Sequence, residues 1–273
     1  MRNAWLARPL IASLAIGQER MHVSIGNFQV DLRTAIQLPV HRWWDEASSC
    51  WMLAATPSAL PELWEEFLDG ALGSYRRHGV ECALDVDAIA DGRDTSVFFV
   101  ALDRRERVVA GVRAKGPYGS ADESHAVVEW AGEPAMVDVR AMIADRIGAG
   151  VAEVKSAWVA DGSSNGRTLT RVLARSPLFT MALLDVEHVM ATSATHVLEQ
   201  WQSSGGVIAR HISPAPYPDA RYSTSMIWWD RATVMRHAEP DQAVRIAYET
   251  AGLRRGDFRH DVETDGYRVP AAA

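Results

Sequence analysis

Cysteine is nearly absent: Cys50 and Cys82 are the only two thiols among 273 residues. Two thiols without metal-ligand spacing cannot build a disulfide framework, so a reducing compartment is expected, with both acting as small apolar residues. Long apolar runs are missing as well, and no stretch has the ~20 residues that cross a bilayer. Residues 1–17 pair a basic start with an apolar run, but Arg8-Pro9 interrupts it, and a cytoplasmic protein, not an integral membrane protein, is expected. Positive charge is in deficit, with 28 Lys and Arg against 35 Asp and Glu. The net charge of -7 and pI near 5.7 lack the basic footprint of nucleic-acid binding. The one dense basic run, Arg104-Arg105-Glu106-Arg107, lies between two apolar segments and reads as a solvated hairpin turn, or else as a dock for an acidic carrier or a phosphate tail. No Gly-x-Ser-x-Gly elbow, His-Glu-x-x-His motif or internal repeat is present. His188 and His196 straddle a change from strand to helix, so no metal ligands are assigned.

The pattern that is present alternates between periods. Apolar residues at helical spacing predict a helix over 59–78, which follows Pro57-Ser58 and tolerates Gly70 and Gly73. Segments 95–102 and 108–114 form the strongest hairpin signal, and 125–130 reads as a further strand. A helix over 137–147 precedes a strand over 153–160, helices over 168–173 and 179–184, and a strand over 186–192. Then come a helix over 194–203, a strand over 206–211, the interrupting Pro214, Pro216 and Pro218, a strand over 222–229 and a helix over 242–250. In the 222–229 strand, Trp228 and Trp229 face opposite sides, either core and rim or with one lining a pocket. The alternation predicts an α/β fold with a mixed, mostly antiparallel central sheet flanked by helices. The expected division is an N-terminal extension packed on the core (1–58), a main domain (59–252) and a polar C-terminal tail (253–273).

The segment EVKSAWVADGSSNGRTLTRVL, from Glu153, runs from an apolar strand through Asp161-Gly162-Ser163-Ser164-Asn165-Gly166 into a helix starting near Arg167. The free N–H groups and positive dipole end of that helix, with Arg167, favour an anion in the turn. An ordinary strand–turn–helix has the same local pattern.

With the elements that follow, this segment resembles the acyl-donor half of the GNAT superfamily of N-acyltransferases, a likeness running over about half of the chain, residues 95–230. The chain departs from the usual Arg or Gln before Gly-x-Gly, its Gly166-Arg167 pair standing instead at the helix start. The later segment HISPAPYPDARYSTSMIWWD is more similar to a divergent branch that includes acyl-homoserine-lactone synthases and N-acyl amino acid synthases. The resemblance implies the acyl-CoA N-acyltransferase fold and acyl transfer from a thioester to an amine or amino-acid-like acceptor. It implies no tightly bound cofactor, with acyl-CoA or an acyl carrier protein thioester as donor, and it is compatible with a homodimer. It places the donor against Val159, Ala160, Gly162, Ser163, Ser164, Asn165, Gly166 and Arg167, with a backbone N–H near Val159 or Ala160 holding the oxyanion. A non-catalytic ligand-sensing or protein-interaction module on the same fold is the alternative.

Amide formation from a thioester needs a free amine, an oxyanion stabiliser and an acid for the leaving thiolate. Glu129, in an otherwise apolar run, is the first choice for a base or amine ligand, since burial raises a carboxylate pKa; the other reading is a solvent-facing residue. Glu153 and Glu187 have similar contexts. His188 reads first as a packing residue, and His196 borders a helix start. Tyr222, with Tyr217 beside it, is the candidate acid.

Overall fold

The computed structural model describes residues 38–162 and 165–260, together with two short N-terminal strands. The chain divides between Ile36 and Gln37. In the first unit, β1 (Val23–Ile25) pairs antiparallel with β2 (Phe28–Val30). The readings made of residues 1–17 and of Ser163 and Ser164 lie outside the described residues.

The second unit is built on an eight-stranded sheet of order β3-β4-β5-β6-β7-β8-β10-β9. Its strands are β3 (His41–Asp45), β4 (Cys50–Ala55), β5 (Val97–Leu102), β6 (Val108–Lys115), β7 (Val151–Val159), β8 (His188–Ala194), β9 (Val207–Ile208) and β10 (Thr224–Asp230). Every neighbouring pair is antiparallel except β7 and β8, which are parallel. This is the mixed, mostly antiparallel sheet expected from the alternating periods. The division expected at residue 58 falls instead at residue 36, because the Trp-rich segment supplies β3 and β4 to the sheet.

Helices cover both faces. On one lie α1 (Pro61–Arg77), the short α2 (Val86–Ile89), α3 (Ala126–Glu129) and α4 (Met136–Ile147). Pro61 starts α1 where its missing N–H costs nothing, and Leu63, Trp64, Phe67, Leu68 and Ala71 bury its inner stripe against Leu53, Phe98 and Val100. Glycine inside a helix costs about 1 kcal/mol. Gly70 is explained by contact, since a Cβ there would overlap the far edge of the Trp158 indole.

The opposite face carries α5 (Gly166–Leu173), α6 (Ser176–Leu184), α7 (Leu198–Gln202) and α8 (Pro240–Arg255). Phe179 of α6 packs on Phe99 of β5 at 5.9 Å, and Trp201 of α7 meets Trp229 of β10 edge-on at 6.0 Å. Buried Arg175, at the start of α6, binds Asp45 of β3 at 2.5 Å and Glu249 of α8 at 2.8 Å, tying the layer together.

Several local expectations are corrected. Residues 125–130 do not form a strand: Ser124 Oγ accepts from the Ala126 N–H at 3.1 Å, and a turn of helix, α3, follows. The helix expected over 194–203 is shorter, because β8 runs on to Ala194 and α7 begins only at Leu198. The strand expected over 206–211 pairs only at Val207 and Ile208. The polar tail expected from 253 does not begin there: α8 continues to Arg255, Phe258 stacks on Trp43 at 5.7 Å, and the His260 N–H donates to Val40 O at 2.8 Å. This return covers the outer edge of β3. Trp228 and Trp229 do face opposite sides, but both are buried in packing and neither borders the cavity described below.

Candidate active site

The parallel pair β7/β8 is joined only from Val151↔His188 to Val154↔Ala191. Beyond that point β7 stays with β6 as far as Val159, while β8 stays with β10 as far as Ala194. The two strands therefore part, and a cavity of about 420 Å³ fills the gap.

A bulge shapes its β7 wall. Between the pairs Gly111↔Trp158 and Arg113↔Lys155, β7 has one residue more than β6. Ser156 takes up the excess with φ of 53°. Its hydroxyl accepts from buried Arg113 Nε at 3.3 Å, and Arg113 is held in turn by Asp94 O at 3.1 Å and Thr95 Oγ1 at 3.0 Å.

Past the bulge, the Ala160 N–H donates to Val109 O at 2.8 Å. Ala160 is thus unavailable as an oxyanion donor, which corrects one of the two expected positions. Because hydrogen-bonded and non-bonded pairs alternate along an antiparallel ladder, the intervening Val159↔Ala110 pair turns the Val159 N–H away from β6 and toward the gap.

The two sides of the cavity differ. On the α1/α3 side, Tyr75, Glu129, Lys155, Thr192, Tyr217 and Tyr222 line it. On the α5/α7 side, Leu173, Ala191, Val197 and Trp201 provide a more apolar wall.

The polar side is organised by Glu153. Its fully buried Oε2 accepts from Tyr118 Oη at 2.6 Å, Ser124 Oγ at 3.2 Å and the His125 N–H at 2.8 Å. Glu153 is thus a buried anchor rather than a solvent-facing edge residue, and it pins the start of α3 to β7. One turn later α3 presents Glu129, whose Oε1 pairs with Lys155 Nζ and lies 2.9 Å from His125 Nδ1. Glu129 Oε2 is buried with no hydrogen-bond partner.

The expected raised pKa of Glu129 is reversed. Burial pushes it up, but the Lys155 ammonium and the hydrogen bonds from His125 and Lys155 outweigh this and hold it at about 2. Glu129 and its neighbour Glu153 likewise push Lys155 above the usual lysine range against its burial. The site therefore holds a fixed ion pair. Burial raises the Tyr217 phenol to about 12, keeping it protonated.

Of the residues singled out from sequence, Glu129, Val159, His196, Tyr217 and Tyr222 border this cavity. Tyr222 lies in a turn before β10 rather than in the strand, its ring 6.4 Å from that of His196. Ala160 borders a neighbouring cleft instead. Asn165 caps the start of α5 without a side-chain capping bond and donates to Ser48 O at 3.3 Å; Gly166 follows, and Arg167 is exposed. Gly162 is exposed in the turn ahead of them. Glu187 pairs with Arg231 on the surface at 3.2 Å, and His188 is 3.4 Å from Asp230, neither on the cavity wall.

Lys155, Thr192 and Trp158 were missed. A signal for Lys155 existed: Lys115 and Lys155 are the only lysines among the 28 basic residues. Alternation from Glu153 also puts Lys155 on the same face as that carboxylate.

Over 212 residues the chain is 50% identical to uncharacterised proteins of Mycobacterium tuberculosis and Mycobacterium bovis, a match covering 78% of this chain and 81% of each of those. No protein-family profile matches it. Among solved structures, FeeM, an N-acyl amino acid synthase from uncultured soil microbes, aligns with a TM-score of 0.52 at 12% identity, over 71% of this chain and 97% of that one. That likeness is one of fold, the acyl-CoA N-acyltransferase-like arrangement of a mixed sheet between helices.

Proposed function

The chain belongs to the family of these mycobacterial proteins, and from its fold and cavity we propose that it transfers an acyl group from a thioester, acyl-CoA or an acyl carrier protein, to an amine or amino-acid-like acceptor. The observation that carries this reading is the parting of β7 from β8, which opens a cavity with a more apolar side and an ionised side. Two reactants of different character can meet there at the sheet plane.

The donor enters along β7 with its polar end near Gly162, Asn165, Gly166 and Arg167, where α5 begins. Its thioester carbonyl oxygen takes the Val159 N–H. The acceptor lies on the α1/α3 side with its ammonium at Glu129 Oε2, the open acceptor of the ion pair. With its pKa near 2, Glu129 orients the nitrogen rather than storing its proton, which passes to water. The amine nitrogen bonds to the carbonyl carbon, the carbon–sulfur bond breaks, the thiolate takes a proton from the Tyr222 hydroxyl, and the second proton shed by the nitrogen restores Tyr222. FeeM is described as an N-acyl amino acid synthase, and an amino-acid acceptor suits a cavity in which an ammonium and a carboxylate can each find an opposite charge.

Native mass spectrometry of the folded protein with acetyl-CoA, a long-chain acyl-CoA and an acyl carrier protein thioester tests this. Saturable binding of one donor, followed by thiol release on adding an amino-acid mixture, is the expected result. Failure of every donor to bind would leave the non-catalytic module.

A further inference from the structure

We infer that Trp158 is a partition that limits the length of acyl chain the cavity accepts, an inference that rests on the acyl-transfer reading. Trp158 borders two spaces at once: the cavity of about 420 Å³ between β7 and β8, and a cleft of about 450 Å³ beside α1. The cleft is walled by Asp69, Gly70, Arg77, Ala160 and Asp161 among others, and is charged where the first space is partly apolar. Trp158 therefore contributes to the wall of both.

The ring is held by shape. Gly70 of α1 leaves room for its far edge, and Gly111 of β6 leaves room for its near edge, where a Cβ would come within 3.2 Å of Trp158 Nε1 and 2.6 Å of Phe67. The Phe67 ring lies 6.2 Å away and completes the slot. Three contacts thus fix one orientation of a side chain that is 5% exposed. Trp158 Nε1 is nevertheless buried with no partner, although an indole N–H in a core usually finds an acceptor. Packing between Gly70, Gly111 and Phe67, not a hydrogen bond, therefore fixes the ring.

Trp158 follows the Ser156 bulge and directly precedes Val159, whose N–H faces the gap. An acyl chain whose carbonyl sits at Val159 has the indole as its neighbour on the same strand. A chain that ends before the ring is fully buried, whereas a longer one must displace it. Each methylene left outside forfeits its burial, so such a wall sets a length cut-off. Replacing the indole by a smaller group removes that wall and lets longer chains extend into the space the ring occupied.

The test titrates the full-length protein and its W158A and W158F variants with octanoyl-, dodecanoyl- and hexadecanoyl-CoA by native mass spectrometry, with circular-dichroism melts to verify folding. Wild-type affinity is expected to fall off along the series. In W158A, hexadecanoyl-CoA should gain roughly tenfold over wild type with octanoyl-CoA little changed. W158F, which keeps a ring against Phe67, should shift the same way by less, and it decides the matter if W158A does not fold. The same length dependence in wild type and folded variants overturns the inference and leaves acyl transfer standing. Binding of none of the three thioesters by wild type, together with no binding of acetyl-CoA or the carrier-protein thioester, removes the acyl-transfer reading and this inference with it.

Discussion

Lys155 Nζ reaches across the gap between the parted strands to Thr192 Oγ1, 3.1 Å away, so one buried ammonium bridges β7 and β8 just past their last pair. Its charge is matched by Glu129 from α3, and three elements converge on that ion pair. The cavity is consequently a place where the sheet is open but its edges are electrostatically tied.

Removing one partner of a buried ion pair strands the other charge, which typically costs about 3–5 kcal/mol. K155M should therefore lower the urea midpoint markedly, while the double variant E129Q/K155M should recover part of the loss. The pair also makes stability depend on acid. Glu129 titrates near 2 when folded against 4.5 ordinarily, so its contribution is complete above 4.5 and is lost as pH falls toward 2. Urea titrations at pH 3 and pH 6 should show a gap in wild type that shrinks in E129Q. Equal gaps would mean the pair contributes nothing.

Gly70 offers a test of α1 packing that is independent of activity. Alanine at a helix interior ordinarily gains about 1 kcal/mol over glycine. Here its methyl would overlap the Trp158 indole, and overpacking costs about 1–3 kcal/mol. G70A should be neutral to destabilised, whereas G73A, whose nearest neighbour is the flexible end of Arg77 at 3.4 Å, should be stabilised. The opposite order in thermal melts would refute the slot.

The sheet was legible in sequence where strands carry long branched runs, as in β5 and β6, and where period changes are clean, as from β7 into α5. The site was half legible. Glu129 could be picked out because a carboxylate in an apolar run is costly, yet its run, Ala126–Val127–Val128, is too short to distinguish helix from strand. Its helical turn depends on Ser124 and on Glu153, which is distant in sequence. Nothing local marks the bulge either: Ser156 takes a left-handed conformation at the extra residue of β7, and its hydroxyl meets Arg113 on the neighbouring strand. The N-terminal boundary was misplaced because the Trp-rich strands β3 and β4 find their partners only through β5.

Arg167 is exposed at the first turn of α5, where the helix dipole favours an anion. If a donor phosphate sits there, R167Q should weaken acyl-CoA binding by about threefold to tenfold, the loss diminishing at high salt. Binding of an acyl pantetheine lacking the nucleotide should be unaffected. An equal loss for both compounds would place Arg167 elsewhere in the binding path.

Glu249 gives the opposite pH dependence to Glu129, for a reason visible in the layer of α6 and α8. It shares Arg175 with Asp45, and burial together with the Asp45 charge raises it from 4.5 to about 7 despite the guanidinium. A carboxyl whose pKa is higher when folded favours the folded chain while protonated. Its contribution is thus fully present below 4.5 and is lost as pH rises through 7, an interval worth about 3 kcal/mol. Wild type should therefore lose stability between pH 5 and pH 8 in urea titrations, roughly tracking this interval. E249Q keeps a neutral group of the same shape beside Arg175 and should flatten that slope, making the variant the more stable protein at pH 8. A slope unchanged by E249Q would show that Glu249 is already ionised at pH 5, with Arg175 balancing both carboxylates.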